Sequence, residues 1–444
     1  HKLARDAEFH EVGPDRPARI GPFEAEFVPL THSIPDCLAV ALHTPAGTVV
    51  HTGDFKFDHQ PVAGPPADIP GLARRGDRGV LLLLADSTNS ERGGSNRPER
   101  TVGEEMRRVF ATAPGRVIVT TFSSHIHRVQ GVLDAAYEDA RSVALLGRSL
   151  NRNAGIAIDL GFLTSHDGVL VKKPRDLERL RPDEQVIVCT GSQGEAMAAL
   201  SRAARGEHPQ IQIEAGDTVV FSCRTVPGNE IAVNDTINRL ITAGARVMTE
   251  ESDPDIHVSG HGSAADLLLM LQLIRPKFFA PIHGEPRHQK AHADLAMSVG
   301  ITPEQIAIMA NGDLLEAGSE SFGIVDRVAS GITYVDRMGG GDVAEELLRD
   351  RKHLAEDGVV MIVATIDGAD GAVIGDVDIV ARALAADDEL IEEVAVDVDN
   401  ALQDAAGSRP DIAALQHKIH DVAAALIRKR SGQRPMVIPL VVDV

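Results

Sequence analysis

Polar and ionisable side chains recur in this sequence directly after short apolar runs that predict β-strands. His32, Asp54, Asp86, His261 and His283 each follow such a run. Because ligands of α/β sheets bind beyond the carboxyl ends of the strands, we expect these side chains to meet in one cleft. Imidazole nitrogens and carboxylates that converge from several strands can hold divalent metal ions and activate a water molecule. The pattern therefore indicates metal-dependent hydrolysis.

Each of these residues also has a structural interpretation when it is taken alone. A histidine at a strand end is more often hydrogen-bonded within the fold than bound to a metal ion. Asp54 in TGDFK can simply begin a turn, and Asp86 in DSTN can form an Asx-turn or cap a helix. The combination favours a site, because His32, Asp54 and His283 together supply the ligand types that a two-metal centre needs.

Two loops, SSHIHR and GSQGE, have the composition of phosphate-binding loops, since each places small residues between a predicted strand and a predicted helix. Backbone N–H groups at a helix start can bind phosphate. Helix capping explains the first loop equally well, and tight turns explain the glycines of the second. Phe122 is a candidate for base stacking and equally a core residue. The side chains that would add donors to the first loop are Ser123, Ser124, His125 and Arg128.

The composition excludes several classes of protein. The chain has 444 residues, with 43% apolar and 25% charged residues, which is typical of a soluble globular protein with about two to four domains. No apolar run approaches the roughly 20 residues that a membrane span needs. The three cysteines form no CxxC pair, so we expect neither disulfides nor cysteine-bound zinc, and a cytoplasmic location. The net charge of −21 argues against binding nucleic acid over the whole surface, but a local basic groove remains compatible with it.

The elements that must position these residues alternate between apolar strands and amphipathic helices, which predicts an α/β fold. Among the predicted strands is Asp255–Ser259, which precedes His261. The glycines of Met338–Asp342 predict a linker. Beyond it we expect a small unit: a hairpin (Val359–Ile366 with Ala372–Ala381), two helices (Glu389–Ala406 and Asp411–Arg430) and a last strand (Pro435–Val442).

Taken in order, eight motifs resemble those of bacterial ribonuclease J, a family of the β-CASP branch of metallo-β-lactamase nucleases. They are THSIPD, HTGDFK, ADSTN, SSHIHR, CTGSQGE, PGNE, HVSGHGS and PIHGE. The resemblance extends to the end of the chain, RPMVIPLVVDV, and the ordered set is far more specific than any single motif. It implies an α/β fold: a metallo-β-lactamase αββα sandwich with an inserted α/β β-CASP domain and a small α+β C-terminal domain.

The resemblance also implies the domain boundaries and the activity. Residues 1–91 and 251–337 would form the metallo-β-lactamase domain, 92–250 the β-CASP domain, 338–352 a linker and 353–444 the C-terminal domain. The implied activity is metal-dependent degradation of single-stranded RNA in RNA maturation and decay. It proceeds from the 5′ end with preference for a 5′-monophosphate, and internal cleavage accompanies it. The implied assembly is a homodimer or a tetramer, without a membrane partner.

By the same resemblance, His32 and His283 would be metal ligands and Asp54 would bridge two divalent ions. Asp86 matches the signature acid beside the metal site, and His261 matches the signature histidine near the scissile phosphate. Zinc is the expected metal and manganese the alternative, because histidine and carboxylate ligands suit both. Two segments match those that contact RNA: Ser123, Ser124 and His125, and His257, Val258, Ser259, Gly260 and His261.

One departure from the family pattern concerns the main metal motif, HxHxDH, which does not occur in the 444 residues. The chain begins at His1 and not at Met, and we expect the motif to lie upstream of it. Without that motif, His32, Asp54 and His283 would form an incomplete metal site.

Three alternative functions stay open at the level of sequence: a β-CASP nuclease that acts on DNA, a small-ester hydrolase of the same fold, and a non-catalytic scaffold that binds RNA or partner proteins. The contact to the ribose 2′-hydroxyl that separates RNA from DNA cannot be located in the sequence. The missing HxHxDH motif favours the scaffold, whereas the retained Asp54, Asp86, His261 and His283 argue against it.

Overall fold

The structure, a computed structural model, describes residues 7–171, 173–332, 345–384, 388–407 and 411–444. The chain divides into two compact units, residues 1–329 and 330–444, and each is described by itself. Within the described residues, no helix combines the length and the apolar character needed to cross a membrane.

Two sheets and a hairpin organise the first unit. Its described strands are β1 (Ala18–Ile20), β2 (Phe23–Pro29), β3 (Leu38–Thr44), β4 (Gly47–His51), β5 (Leu82–Asp86), β6 (Val117–Thr120), β7 (Ser142–Leu146), β8 (Gln185–Cys189), β9 (Thr218–Phe221), β10 (Arg246–Met248), β11 (Phe278–Ile282), β12 (Asp313–Ala317) and β13 (Phe322–Arg327). Its helices are α1 (Ile69–Arg78), α2 (Arg100–Thr112), α3 (Ile126–Glu138), α4 (Arg148–Asp159), α5 (Ala199–Ala204), α6 (Glu230–Thr242), α7 (Ala264–Ile274) and α8 (Pro286–Ser298).

The first sheet has six strands in the order β1-β2-β3-β4-β5-β11. Strands β1 to β4 pair antiparallel, whereas β4, β5 and β11 are parallel. Alternate residues point to opposite faces, so Leu83 and Phe279 pack against α1, α7 and α8. Leu82 and Phe278 lie on the other face and pack with Phe322 of the β12–β13 hairpin. Helices, sheet and hairpin thus form three successive layers.

The second sheet is inserted in the chain between β5 and β11, and its five strands are all parallel, in the order β10-β9-β6-β8-β7. Its central strands β9, β6 and β8 are mostly apolar and buried, because helices cover both faces of the sheet. Helices α2, α3 and α4 cover one face, around Phe110 and Val119. Helices α5 and α6 cover the other, around Ile118 and Leu200.

The second unit contains α9 (Glu345–Glu356), β14 (Val359–Ile366), β15 (Asp378–Arg382), α10 (Asp388–Gln403), α11 (Ile412–Ser431) and β16 (Met436–Asp443). The central strand β14 pairs antiparallel with β15 and parallel with β16, and α10 and α11 cover one face of this sheet. The hairpin, helices and last strand agree with the sequence prediction, although β15 begins later than predicted. The glycines of the predicted linker lie outside the described residues. The last part of the predicted linker belongs to helix α9, which begins at Glu345.

Candidate active site

The parallel strands β4, β5 and β11 bring three of the predicted site residues to one edge of the first sheet. Asp54 follows β4, Asp86 is the last residue of β5, and His283 follows β11 directly. His32 lies in the loop after β2. The structure therefore assembles the cleft that the strand-end pattern predicts.

Asp54 lies between two histidines. Its Oδ2 is 3.9 Å from Nε2 of His32, and its Oδ1 is 3.8 Å from Nε2 of His283, so each oxygen faces a different ring. His261 is close to both histidines, with ring centroids 4.9 Å from His32 and 5.3 Å from His283. The backbone of His283 adopts a φ of 58°, which is unfavourable for a residue with a side chain and is often found at functional sites.

The donor atoms of these residues fit a divalent metal ion. Ligand atoms of His32, Asp54 and His261 all lie within 4.8 Å of one another, and the same holds for Asp86, His261 and His283. The Nδ1 of His32 donates a hydrogen bond of 2.6 Å to the carbonyl of Gly260, which leaves Nε2 unprotonated toward Asp54. Burial, together with the nearby His261, lowers the pKa of His32, which favours the neutral ring that metal binding needs.

Asp86 and His261 form a close pair. The side chain of Asp86 is buried, and its Oδ2 accepts a hydrogen bond of 2.6 Å from Nδ1 of His261. Burial raises the pKa of Asp86, but the bond to His261 and its charge outweigh burial and hold the value at about 2. Burial lowers the pKa of His261, yet the bond to Asp86 raises it overall. Asp86 is therefore an ionised carboxylate that fixes the tautomer and orientation of His261.

The segment that leads to His261 is not the predicted strand. Pro254–Ile256 is a 3-10 turn, His257 is extended, and residues 257–260 take part in no strand, with a bend at Gly260. Side chains take the place of a neighbouring strand as hydrogen-bond donors, which accounts for the missing ladder. The carbonyl groups involved are those of Ile256 (from Ser222 and Arg128), Val258 (from Arg128), Gly260 (from His32) and His261 (from Asn89 and Asn96).

Arg128 does not face the cleft, so its prediction as a phosphate donor is wrong. Its side chain is 1% exposed, and Nε donates a 2.6 Å hydrogen bond to Glu99 while Nη1 donates one of 2.6 Å to Ser222. Nη2 contacts both Nε2 of His125 at 3.3 Å and the carbonyl of Val258 at 3.4 Å. Arg128 thus joins the two segments that are predicted to contact RNA.

The SSHIHR loop leads from β6 into α3. Ser124 is exposed and Ser123 half-buried, and within the described residues neither hydroxyl takes part in a hydrogen bond. His125 is buried and caps α3, since its Nδ1 accepts a hydrogen bond from the backbone N–H of Arg128. Burial and the charge of Arg128 lower the pKa of His125 well below its usual value. Phe122 packs against the core of the inserted sheet.

The GSQGE loop serves packing and turn formation. Gly194 has a φ of 69°, and a Cβ at this position would lie 2.5 Å from the carbonyl carbon of Ala232 in α6. The side chain of Gln193 bonds to the carbonyl of Arg224 and the N–H of Val226. The glycine-turn interpretation of this loop therefore accounts for its geometry.

Sequence reasoning missed Asn89 and Asn96, whose side chains bond to the carbonyl of His261. Asn89 lies within the ADSTN motif, three residues after Asp86, so its position beside a candidate acid was the available signal. It also missed the buried cluster around Lys56, because the partners of this lysine, Asp58 and Glu99, do not look like a site in sequence.

Three family models match the chain: the ribonuclease J β-CASP domain over residues 114–240, the RNA specificity domain of Zn-dependent metallo-hydrolases over 255–304, and the ribonuclease J C-terminal domain over 346–444. Ribonuclease J 1 of Streptococcus pyogenes is 39% identical and the match covers 99% of this chain and 79% of that protein. Ribonuclease J of Thermus thermophilus is 41% identical over 98% of this chain and 74% of its own length. The Mycolicibacterium smegmatis protein is 39% identical over 98% and 78%.

The fold and the cleft of histidines and carboxylates, with these matches, define a metal-dependent hydrolase of the metallo-hydrolase and β-CASP class. Within that class, the chain belongs to the ribonuclease J family. The fold class, the hydrolase activity and the identification as a ribonuclease that uses a divalent metal are thereby confirmed. RNA is accordingly its class of substrate.

Proposed function

We propose that this protein degrades single-stranded RNA from the 5′ end, prefers a 5′-monophosphate, and also cuts internally, in RNA maturation and decay. The observation that carries the proposal is the link through Arg128. It ties the Ser123–Ser124 loop, by way of His125, to the segment that ends in His261. If this loop binds the terminal 5′-phosphate, its fixed distance from His261 places the first phosphodiester bond of the RNA at the site of cleavage.

His32, Asp54 and His283 are the residues that would hold the two proposed metal ions. The opposed directions of these oxygens and the neutral ring of His32 support this assignment. Zinc is the proposed metal and manganese the alternative. When bound, such ions supply an activated water and stabilise charge on the phosphate oxygens.

His261 is the proposed catalytic histidine. Asp86 accepts the hydrogen bond from Nδ1–H of His261, so Nε2 is the ring nitrogen left to meet the substrate. The carboxylate raises the pKa of His261 above its ordinary value, which favours the protonated ring that a proton donor needs. His261 then stabilises charge on the scissile phosphate and donates a proton to the leaving 3′-oxygen.

Ser123, Ser124 and residues 257–261 are the proposed RNA contacts. The hydroxyl of Ser259 accepts hydrogen bonds from Asn89 Nδ2 and from the backbone N–H of His261, so its own proton remains to be donated to a phosphate oxygen. The side chains of His257 and Val258 are buried, so backbone groups would make the contact there. A side chain at Gly260 would collide with the ring of His32, which restricts this position to glycine.

The test compares one single-stranded RNA carrying a 5′-monophosphate, a 5′-triphosphate or a 5′-hydroxyl, together with DNA of the same sequence. We expect mononucleotides to be released from the 5′ end, fastest from the monophosphate, and internal fragments from RNA whose 5′ end is blocked. Equal rates for all three ends would contradict the 5′ preference. Equal cleavage of DNA would favour the DNA nuclease, and a metal-loaded protein without any cleavage would favour the scaffold.

We also propose a homodimer, or a tetramer built from dimers, and a cytoplasmic location. The resemblance to the family and the apolar outer face of the C-terminal sheet support self-association, since exposed apolar patches often mark interfaces.

A further inference from the structure

Two asparagines hold His261 through its backbone. Asn89 Nδ2 donates hydrogen bonds to Ser259 Oγ at 2.8 Å and to the carbonyl of His261 at 3.0 Å. Asn96 Nδ2 donates to the same carbonyl at 2.7 Å and to Asp266 at 3.1 Å. Asn89 is only 6% exposed, so its amide makes these contacts away from water.

His261 is consequently fixed at three points. Asp86 holds the ring through Nδ1, and the two asparagines hold the carbonyl. The third point is the backbone N–H, which donates a 3.1 Å hydrogen bond to Ser259 Oγ. Asn89 holds Ser259 as well, so it stabilises both the N–H side and the C=O side of the same residue.

The chemistry of Asn89 suits this position. A primary amide has two N–H donors on one nitrogen, and the two acceptors here are a hydroxyl oxygen and a carbonyl oxygen. Alanine would remove both bonds, and aspartate would place an oxygen against two acceptors. The backbone of Asn89 also bridges to Ser263 at the start of α7, which anchors the amide to the segment that it supports.

We propose that Asn89 is a positioning residue, which sets the place of the His261 ring and the direction of the Ser259 hydroxyl. This inference rests on the proposed role of His261. Groups that orient a reacting residue through hydrogen bonds typically contribute about 10- to 100-fold to activity. We therefore expect Asn89 to act on the rate of cleavage and not on retention of the metal.

The experiment is a double-mutant cycle on the full chain, with Asn89→Ala, His261→Ala and the double variant. Single-turnover rates and KM for a 5′-monophosphorylated RNA are measured, together with bound metal and melting temperature. Asn151→Ala is the matched control. Its amide also donates hydrogen bonds to backbone carbonyls, but it lies in α4, which packs against the inserted sheet. We expect Asn89→Ala to lower the single-turnover rate about 10- to 100-fold with metal content near wild type, whereas KM rises because the hydroxyl of Ser259, a proposed RNA contact, is no longer held.

The cycle separates positioning from general destabilisation. If Asn89 acts through His261, adding Asn89→Ala to His261→Ala costs little further rate. A full additional loss in the double variant, or a wild-type rate for Asn89→Ala, would overturn the inference. A wild-type rate for His261→Ala would instead overturn the proposed function. If Asn89→Ala does not fold, Asn96→Ala takes its place in the cycle, with a smaller loss and the same non-additivity expected.

Discussion

Asp54 and His261 share one cleft, but they are held by different kinds of partner. The oxygens of Asp54 stand 3.8 and 3.9 Å from two imidazole nitrogens, distances that are longer than hydrogen bonds and that an ion can bridge. His261, in contrast, is bonded directly to an ionised carboxylate at 2.6 Å. The first arrangement suits a metal ligand, and the second suits a group that handles protons.

This difference predicts distinct outcomes for single substitutions. Asp54→Ala and His283→Ala should lose bound metal and, with it, RNA cleavage. His261→Ala should lose cleavage while most of the metal is retained, because Asp54 still faces His32 and His283. Metal content by elemental analysis, measured beside the cleavage rate, checks the division. Equal metal loss in all three variants would show that the roles are not separate.

His292 provides a residue-scale prediction for pH. Its ring is buried beside Phe279, Nδ1 lies 3.0 Å from Ser87 Oγ, and burial lowers its pKa to about 4 from an ordinary 6.5. As the pH falls, His292 is therefore protonated in the unfolded chain before it is protonated in the folded protein. The stabilisation is complete above about pH 6.5 and declines toward pH 4, by about 2 kcal/mol at pH 5.

Urea denaturation at pH 7.5 and pH 5 measures this effect. The free energy of unfolding should fall by about 2 kcal/mol more in the wild type than in His292→Leu. His417→Leu changes an exposed histidine of α11 and should keep the wild-type decrease. Identical pH dependence in wild type and His292→Leu would contradict the prediction.

At the scale of secondary-structure elements, the sequence predicts those features that depend on residues close together in the chain. Polar residues after apolar runs locate Asp54, Asp86 and His283, because the order of parallel strands places their ends together. The predictions of a strand at Asp255–Ser259 and of a phosphate-donor role for Arg128 are wrong, and both errors have the same cause. Arg128 looks like a phosphate donor after Ser-Ser-His, yet its counter-ion Glu99 is 29 residues away and its carbonyl acceptors at Ile256 and Val258 are farther still. When a side chain is buried by partners so distant in sequence, the residues around it show no periodic pattern from which the burial could be predicted.

Arg128 connects α3, the end of β9 and the segment before His261, so its removal should affect all three. Arg128→Met leaves Glu99 buried without its main partner, and we expect a loss of about 3–5 kcal/mol in the free energy of unfolding. Arg107→Met is the control, because it breaks an exposed pair with Glu138 and should cost under about 1 kcal/mol. Urea denaturation compares the two, and similar small losses would mean that Arg128 is not a structural hub.

At the scale of the whole molecule, the net charge of −21 contrasts with a polyanionic substrate. A broad basic surface is therefore not available for recognition, and the contacts that we propose are local ones: hydroxyls such as those of Ser124 and Ser259, and the metal site. The C-terminal unit contributes a different kind of surface. Its sheet buries Val360 and Ile362 under α10 and α11, but its opposite face keeps apolar side chains exposed.

We predict that two copies of the chain meet at this exposed apolar face of the C-terminal sheet. Met361 pairs with Val380 across the sheet and Val363 with Leu440, and Met361, Val380 and Leu440 are 37%, 48% and 41% exposed. Leu440→Lys should convert the proposed dimer to monomers, because pairing would bury the new charge. Ile231→Lys, at an exposed apolar residue of α6, should leave the mass unchanged. Light scattering after size-exclusion chromatography measures the mass. A Leu440→Lys dimer would exclude this face as the interface, and a monomeric wild type would refute the dimer itself.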